Sequence, residues 1–199
     1  MRYKTDQKDI TRQKMLEAAG RGFRKHGYAG IGVDGLAKAA GVTSGAFYAH
    51  FGSKDGAFEL ALTAGLDEVI EGIPKFQTEH GANWVKAFAE YYLGKPHQND
   101  RDCGCAMATL TPEVVRFGAK VHATFEKKMC HIADLIENGL AGDLDVDTHA
   151  RAWSMLGILI GGINIARAMK STKISEEVAE AIKTAAIKAA GRTRDTSVK

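Results

Sequence analysis

The sequence has little proline and cysteine and no long hydrophobic run. Only three of its 199 residues are prolines and three are cysteines. In the cytoplasmic protein expected here, those cysteines are reduced thiols rather than a disulfide framework. The longest apolar run, residues 155–166, contains three glycines and an asparagine and is too short to span a bilayer. The N-terminal residues are polar and charged, unlike a secretory signal, so we expect a cytoplasmic protein with no membrane partner.

The sequence also lacks the motifs of common catalytic sites. It contains no H-E-x-x-H, no G-x-S-x-G and no phosphate-binding glycine loop, although 22 of its residues are glycine. Its seven histidines are scattered along the chain. The side chains of Cys103, Cys105, Cys130 and His131 are suitable zinc ligands, but their spacing matches no compact ligand set. We therefore expect no enzyme activity, no bound metal and no cofactor.

A stretch near the N-terminus has the pattern of two short helices joined at a glycine. Apolar side chains recur at helical spacing in both halves: Val33, Leu36, Ala37 and Ala40 in the first, Phe47 and Phe51 in the second. Gly41 ends the first helix because glycine takes a left-handed conformation without steric cost. Thr43 or Ser44 can cap the second helix. This pattern predicts a helix-turn-helix, with its second helix over residues 44–51.

The outward face of the second helix is small and polar and carries no acid. Such a face lets a helix enter the major groove of duplex DNA, where side chains reach base edges. The predicted DNA-binding residues are Thr43, Ser44, Gly45, Ala46, Tyr48, His50 and Lys54. Among them, we expect Tyr48, His50 and Lys54 to hold phosphates, and the residues at the start of the helix to meet base edges or the DNA backbone. An amphipathic helix pair inside an ordinary bundle is the alternative.

The charge distribution agrees with a DNA-binding N-terminal part. The whole chain carries a net charge of only +3. Residues 1–55 contain ten lysines and arginines against five acids, a net +5, which leaves −2 for the rest. A positive segment on a mildly acidic body is the expected footprint of a phosphate-binding unit, although charged faces are often only solvated.

Residues 40–58, A-G-V-T-S-G-A-F-Y-A-H-F-G-S-K-D-G-A-F, resemble the signature of the TetR family of bacterial transcriptional regulators, TetR/AcrR type. Upstream, an apolar helical pattern that ends in His26-Gly27-Tyr28 is similar to the first helix of that family. The resemblance covers about residues 8–65. Two positions depart from it: Gly32 stands where a Thr or Ser usually caps the first helix of the pair, and Gly35 weakens that helix by about 1 kcal/mol relative to alanine.

This resemblance implies an all-α fold of about nine helices in two domains. A three-helix helix-turn-helix domain is expected over residues 1–55. A connecting helix over 54–71 then leads into an effector-binding and dimerisation domain over 56–199. The implied function is that of a homodimeric transcriptional regulator, most simply a repressor, which a small-molecule effector releases from a palindromic operator in double-stranded DNA.

Beyond the connecting helix, the periodicity predicts helices over residues 83–93, 105–110, 112–140, 147–169 and 175–190. Pro112 suits the first turn of the long helix, where its missing N–H is no loss. Residues 94–102 are expected to form a polar, flexible loop.

The helix over residues 147–169 is apolar around nearly its whole circumference, so it has to be covered on all sides. Together with the last helix it resembles the four-helix dimer bundle of the TetR family, in which Gly157, Gly161 and Gly162 permit close approach. We therefore expect a homodimer through the last two helices. A buried helix in a monomer is the alternative.

An effector pocket is implied by the resemblance alone. Its candidate lining residues are Trp84, Phe88, Tyr92, Phe117, Phe125 and Trp153. Aromatic residues at helical spacing are also typical of an ordinary core. The aromatic residues therefore fit either a pocket or a core.

The cysteines suggest a second way of regulation. Cys105 precedes a predicted helix, and the helix N-terminus and nearby cations favour its thiolate. A regulator that senses oxidants or electrophiles would react at Cys105 and use Cys103 or Cys130 as the resolving thiol. Reduced, partly buried thiols are the alternative.

Two further alternatives to the regulator remain open. One is a helical interaction module without DNA binding. The other is a thiol oxidoreductase, which the C-x-C spacing and the lack of a strand-helix-strand pattern disfavour.

Overall fold

A computed structural model of the chain is almost entirely α-helical. It describes residues 2–100, 102, 104–142 and 147–194, and of residues 2–9 only the backbone. The helices are α1 (Arg2–Gly30), α2 (Val33–Ala39), α3 (Ser44–Phe51), α4 (Lys54–His80), α5 (Trp84–Tyr92), α6 (Lys95–Asn99), α7 (Ala106–Val114), α8 (Ala119–Asn138), α9 (Thr148–Ala168) and α10 (Thr172–Ala190). One isolated bridge, between Leu140 and Thr193, is the only strand-like pairing among these residues. The predicted all-α fold is confirmed, and the number of helices is close to the expected nine.

The described residues group into two compact units. The first unit comprises residues 1–66 and 101–125, and the second comprises residues 67–100 and 126–199. Helices α4 and α8 therefore contribute residues to both units. The functional boundary expected near residue 55 stays a prediction.

In the first unit, a kink near the end of α1 fixes an aromatic cluster. Gly27 has φ 71° and ψ 170°, a conformation that side chains larger than hydrogen rarely adopt. The next backbone N–H, that of Tyr28, donates to Oε1 of Glu113 on α7 at 3.2 Å. The Tyr28 ring then packs against Phe58 and Phe117, whose rings stack with centroids 4.4 Å apart. The end of α1 is thereby fixed to α4 and to the segment between α7 and α8.

Two prolines lie inside helices, contrary to the sequence prediction. Pro74 lies within α4, which continues to His80 instead of ending near residue 71. Pro112 lies within α7 and does not begin the long helix. Helix α7 ends two residues after Pro112, where the N–H of Arg116 bonds the carbonyl of Glu113 at 2.9 Å in a tighter turn. The long helix α8 starts only at Ala119, after Gly118.

The segment expected to be a flexible loop contains the short helix α6. Pro96 occupies its first turn, where no N–H is needed. The guanidinium of Arg167 on α9 donates to the carbonyls of His97 at 2.7 Å and of Gln98 and Asp100 at 3.2 Å. The expectation of a flexible loop over residues 94–102 was wrong for residues 95–99, because Arg167 satisfies carbonyls that a solvent-exposed loop would leave to water.

In the second unit, α9 and α10 form an antiparallel pair. The beginning of α9 meets the end of α10, where Nε of Arg151 donates to the carbonyl of Ala190 at 2.8 Å. Near the other end, Gly162 faces α10 so closely that a Cβ there would lie 2.1 Å from Ile182. Helix α10 begins at Thr172, three residues earlier than predicted, because Ser171 caps it by accepting from the N–H of Ile174 at 3.4 Å.

No helix among the described residues is both long enough and apolar enough to cross a bilayer.

Candidate nucleic-acid interface

Helices α2 and α3 and the turn between them form the predicted helix-turn-helix. Gly41 has φ 70°, and the N–H of Val42 closes the turn on the carbonyl of Ala37 at 3.0 Å. The small Ala37 is 2% exposed and Phe47 is fully buried, so the seam between the two helices includes a predicted apolar position of each. The rest of the seam is formed by the buried side chains of Leu36 and Phe51. The backbone of α3 is therefore held by core contacts, which leaves its opposite face available.

The start of α2 lacks a side-chain cap. Gly32 is the N-cap residue and makes no side-chain hydrogen bond, as expected from its departure from the family pattern. A Cβ at Gly32 or at Gly41 would meet nothing within 4 Å, so space does not require glycine at either position. The positive φ requires it at Gly41 alone.

The two hydroxyl groups at the start of α3 already have partners within the protein. Oγ1 of Thr43 caps the helix by accepting from the N–H of Ala46 at 3.2 Å. The hydroxyl of Ser44 donates to Oδ1 of Asp34 on α2 at 2.5 Å. Thr43 and Ser44 therefore position α3 on α2, and a DNA contact from either hydroxyl would have to be made alongside these bonds or in place of them.

The exposed face of α3 is centred on Tyr48. Its side chain is 51% exposed, and its ring meets the buried Phe47 edge-on at a centroid distance of 6.4 Å. Gly45 and Ala49 beside it are also exposed, whereas Ala46 and His50 are half-buried. No acidic side chain lies on α3. The side chains on this face are small except for Tyr48, which carries a hydroxyl group. Such a face suits insertion into a groove lined by phosphates.

The start of α4 follows α3 directly in the chain. Ser53 caps α4 by accepting from the N–H of Gly56 at 2.9 Å, a role that the sequence analysis did not assign. Serine is a preferred residue immediately before a helix, where its hydroxyl accepts from a backbone N–H of the first turn. That preference would have identified Ser53 as a cap from the sequence. Lys54 follows, with Nζ 4.1 Å from the ring centroid of Tyr28. The aromatic face holds the ammonium in a defined direction.

Tyr28 also links the start of α4 to α1. Its hydroxyl donates to Oδ1 of Asp55. Burial, and after it the hydrogen bond and charge of Asp55, raise the pKa of Tyr28 to about 12, so the hydroxyl stays a donor at any physiological pH. Because this bond engages Asp55, the acid that follows Lys54 is directed towards α1.

A family model for bacterial regulatory proteins of the tetR family matches residues 15–61, from α1 to the first half of α4. Over these residues the chain is similar to the tetR family. The predicted resemblance is therefore confirmed, and the matched residues include the whole helix-turn-helix and Lys54.

Two curated proteins resemble this chain over part of its length. The HTH-type transcriptional repressor AcnR of Corynebacterium glutamicum is 36% identical over 80 residues, which is 34% of this chain and 43% of the relative. AcnR of Corynebacterium efficiens is 42% identical over 75 residues, 32% of this chain and 40% of the relative. The chain thus spans less than half the length of the curated relatives it matches.

Solved structures share the TetR fold over nearly the whole chain. A TetR transcriptional regulator from Chloroflexus aurantiacus has a TM-score of 0.75 at 17% identity and covers 96% of this chain and 100% of its own. The reduced form of Escherichia coli NemR has a TM-score of 0.70 at 18% identity and covers 88% of this chain and 97% of its own. At these identities the likeness establishes the fold, including the helices outside the region matched by the family model.

The aromatic residues proposed for an effector pocket lie in different places. Three of them, Trp84, Phe88 and Tyr92, are buried on α5 in the second unit, and the indole N–H of Trp84 donates to the carbonyl of Gly139 at 3.0 Å. Phe117 packs in the aromatic cluster of the first unit, and Phe125 is half-buried there. Trp153 is 37% exposed on α9. A pocket lined by these residues stays a prediction.

The second unit contains a surface cavity of about 350 Å³ that includes none of those aromatic residues. It is lined mainly by charged and polar side chains from α5, α6 and α10: Glu90, Lys95, Gln98, Glu176, Glu180 and Lys183. Lys95 and Glu176 form an ion pair at 2.5 Å across it. The cavity is open and five of its nine lining residues are charged, unlike the largely apolar pockets that hold most small ligands.

Two of the three cysteines lie among the described residues, and their surroundings differ. Cys105 is half-buried at the N-cap position of α7, where it makes no capping bond with its side chain. Cys130 is exposed on α8. Neither is in a disulfide, and Cys103 lies outside the described residues. Sensing through Cys105, with Cys103 or Cys130 as the resolving thiol, stays a prediction.

Proposed function

We propose that this chain is a DNA-binding transcriptional regulator, most simply a repressor, that acts in the cytoplasm on double-stranded DNA. The observation that carries the proposal is the exposed, acid-free face of α3 around Tyr48, held on α2 by a buried seam within a sequence that matches the tetR family model. Lys54, three residues after the end of α3, adds a cation whose Nζ is held 4.1 Å from the Tyr28 ring centroid. In this function Tyr48, His50 and Lys54 hold phosphates, while the start of α3, from Thr43 to Ala46, lies against base edges and sugars.

The regulator acts as a homodimer through α9 and α10. On α9, Trp153, Gly157, Gly161 and Ile165 follow one another at four-residue spacing, and all are exposed in the single chain. The two glycines have nothing within 4 Å of an added Cβ, so a second helix can approach closely there. Trp153 and Ile165, which are 37% and 50% exposed, flank the two glycines. These exposed apolar side chains support an apolar interface between two copies.

A two-fold dimer presents two α3 helices to one DNA duplex. The operator is then palindromic, with half-sites one helical turn apart, roughly 34–36 Å. Binding of a small-molecule effector to the second unit lowers affinity by favouring a spacing of the two α3 helices that no longer matches DNA. Helices α4 and α8 support this coupling because each contributes residues to both units.

The proposal is tested by selecting duplexes from a random-sequence pool with the full-length chain. We expect enrichment of an inverted repeat whose half-sites are centred about 10 base pairs apart. Selection with the Tyr48→Ala variant should enrich no motif. A pool that stays random with the folded wild-type chain contradicts DNA recognition, and a single unrepeated half-site contradicts the two-fold arrangement.

A further inference from the structure

The second unit carries a cluster of three potential metal ligands away from the helix-turn-helix. Asp134 and Glu137 lie one turn apart near the end of α8, and His149 lies in the first turn of α9. One ligand atom from each, two carboxylate oxygens and an imidazole nitrogen, lie within 4.8 Å of one another. We propose that Asp134, Glu137 and His149 bind a divalent transition-metal ion.

The spacing of two of these ligands is close to that of atoms that share an ion. Nδ1 of His149 lies 2.9 Å from Oε2 of Glu137. Two ligand atoms that are each about 2.1 Å from a zinc ion, at the tetrahedral angle, are separated by about 3.4 Å. An ion can therefore replace the proton between His149 and Glu137 once the two atoms move apart by about 0.5 Å.

The other atoms of the cluster are arranged to support that position. Oε1 of Glu137 accepts from the hydroxyl of Thr148 at 2.9 Å, which orients the carboxylate and leaves Oε2 for the ion. Asp134 is exposed, and among the described residues its carboxylate makes no hydrogen bond or ion pair. Asp134 thus supplies an uncommitted oxygen ligand one turn before Glu137.

The ligand chemistry indicates which metal ions fit. Carboxylates alone suit calcium and magnesium, but an imidazole nitrogen favours zinc, iron, nickel or copper. Three protein ligands leave the remaining positions to water, as in open rather than closed zinc sites. Sequence spacing did not indicate this site, because Asp134 and His149 belong to different helices and match no compact ligand motif.

Trp153 contacts one of the proposed ligands, so its fluorescence can report metal binding. Its indole N–H, which can only donate, points at Nε2 of His149 at 3.0 Å. Nε2 must therefore accept, so Nδ1 carries the ring proton and donates to Glu137. When a metal ion binds Nδ1, the proton of the neutral His149 ring moves to Nε2. The N–H at Nε2 then faces the indole N–H of Trp153, and both groups are donors. They cannot form a hydrogen bond, so metal binding displaces the Trp153 indole.

Calorimetric titration of the full-length chain with zinc sulfate, after removal of metals by a chelator, tests the site. We expect one Zn²⁺ per chain, and a loss of affinity of at least tenfold in each of His149→Asn, Asp134→Asn and Glu137→Gln. His131→Asn is the matched control, because His131 is also exposed on α8 but is not one of the three ligands. Its affinity should equal that of the wild type within a factor of two.

Tryptophan fluorescence gives a second readout in the same titration. Zn²⁺ should change the emission of the wild type, whereas Trp153→Phe should bind Zn²⁺ by calorimetry without that change, since only the buried Trp84 remains. Absence of binding to the folded wild type overturns the proposal. So does a loss of affinity in His131→Asn without one in His149→Asn, which would place the ion elsewhere on α8.

Discussion

At the scale of single residues, Arg151 is the clearest example of a side chain that organises its surroundings. It is 6% exposed, and its guanidinium donates to the backbone carbonyls of Ala190, Ala141 and Arg192. The carbonyl of Ala190 belongs to the last turn of α10, whose partial negative charge favours a cation. Gly191 follows with φ 65°, and a Cβ there would lie 2.8 Å from the guanidinium. One arginine thus caps α10 and fixes the chain beyond it.

Replacing Arg151 by methionine should lower the free energy of unfolding by about 2–4 kcal/mol, because several buried carbonyls lose a charged donor. Urea unfolding followed by circular dichroism measures the change. Arg192→Met is the matched control, since that arginine is exposed, and it should cost less than about 0.5 kcal/mol. If the two variants are equally stable, the capping role of Arg151 is wrong.

At the scale of elements, the helix-turn-helix could be predicted from sequence because its determinants are local. The buried spacing of Leu36, Ala37 and Phe47, the positive φ of Gly41 and the cap from Thr43 all lie within a dozen residues. The second helix, predicted over residues 44–51, is found at Ser44–Phe51. The roles of individual side chains on DNA remain predictions, since they depend on a partner and not on the fold.

Elements whose stability comes from distant residues could not be predicted in this way. Helix α6 depends on Arg167, about seventy residues later in the chain, which satisfies its carbonyls. The start of α8 was placed at Pro112 because a proline suits a first turn, but α7 already begins at Ala106 and includes it. The preference of proline for a first turn could not show whether Pro112 begins the long helix or lies inside α7, because that depends on the contacts of α7.

His97 on α6 should make the stability of the protein depend on pH. The residue is 6% exposed, and its Nδ1 lies 2.6 Å from the carbonyl of Tyr92. Burial lowers the pKa of His97 below its ordinary value of 6.5, and nearby Arg167 acts in the same direction, against the opposing effects of the Tyr92 carbonyl and Asp100. As the pH falls below 6.5, the unfolded chain gains a proton before the folded chain does, so stability is lost.

Unfolding free energies measured between pH 7.5 and 5.5 test this dependence. The wild type should lose up to about 1.4 kcal/mol per pH unit below pH 6.5 in excess of His97→Asn. His131→Asn, which replaces an exposed histidine, should follow the wild-type curve. A His97→Asn curve parallel to that of the wild type would mean that His97 does not titrate differently in the folded chain.

At the scale of the whole molecule, α9 has two faces with different partners. One face packs inside the second unit, where Leu156, Leu159 and Ile163 are buried and Gly162 contacts α10. The other face is exposed in the single chain and includes Gly161. The sequence predicted an apolar helix covered on all sides. Only the structure shows that Gly162 contacts α10 within the chain, whereas Gly161 has space for a second copy.

Adjacent glycines therefore provide a matched pair of variants for the proposed dimer. Gly161→Glu should leave the helical circular dichroism unchanged and weaken dimerisation at least tenfold, because it places a charge in the interface between copies. Gly162→Glu should instead unfold the second unit, because its side chain collides with Ile182. Sedimentation equilibrium measures the first effect. A Gly161→Glu chain that dimerises as strongly as the wild type would exclude this face as the interface.

The central claim is that the exposed face of α3 binds duplex DNA, and a fluorescence anisotropy titration tests it most directly. The probe is the duplex enriched by the wild-type chain, and the variants are Tyr48→Ala and Tyr91→Ala, which remove tyrosines 51% and 56% exposed on α3 and α5. We predict that Tyr48→Ala weakens binding at least tenfold, about 1.4 kcal/mol, and that Tyr91→Ala binds like the wild type. Equal affinities for all three folded chains would contradict the account.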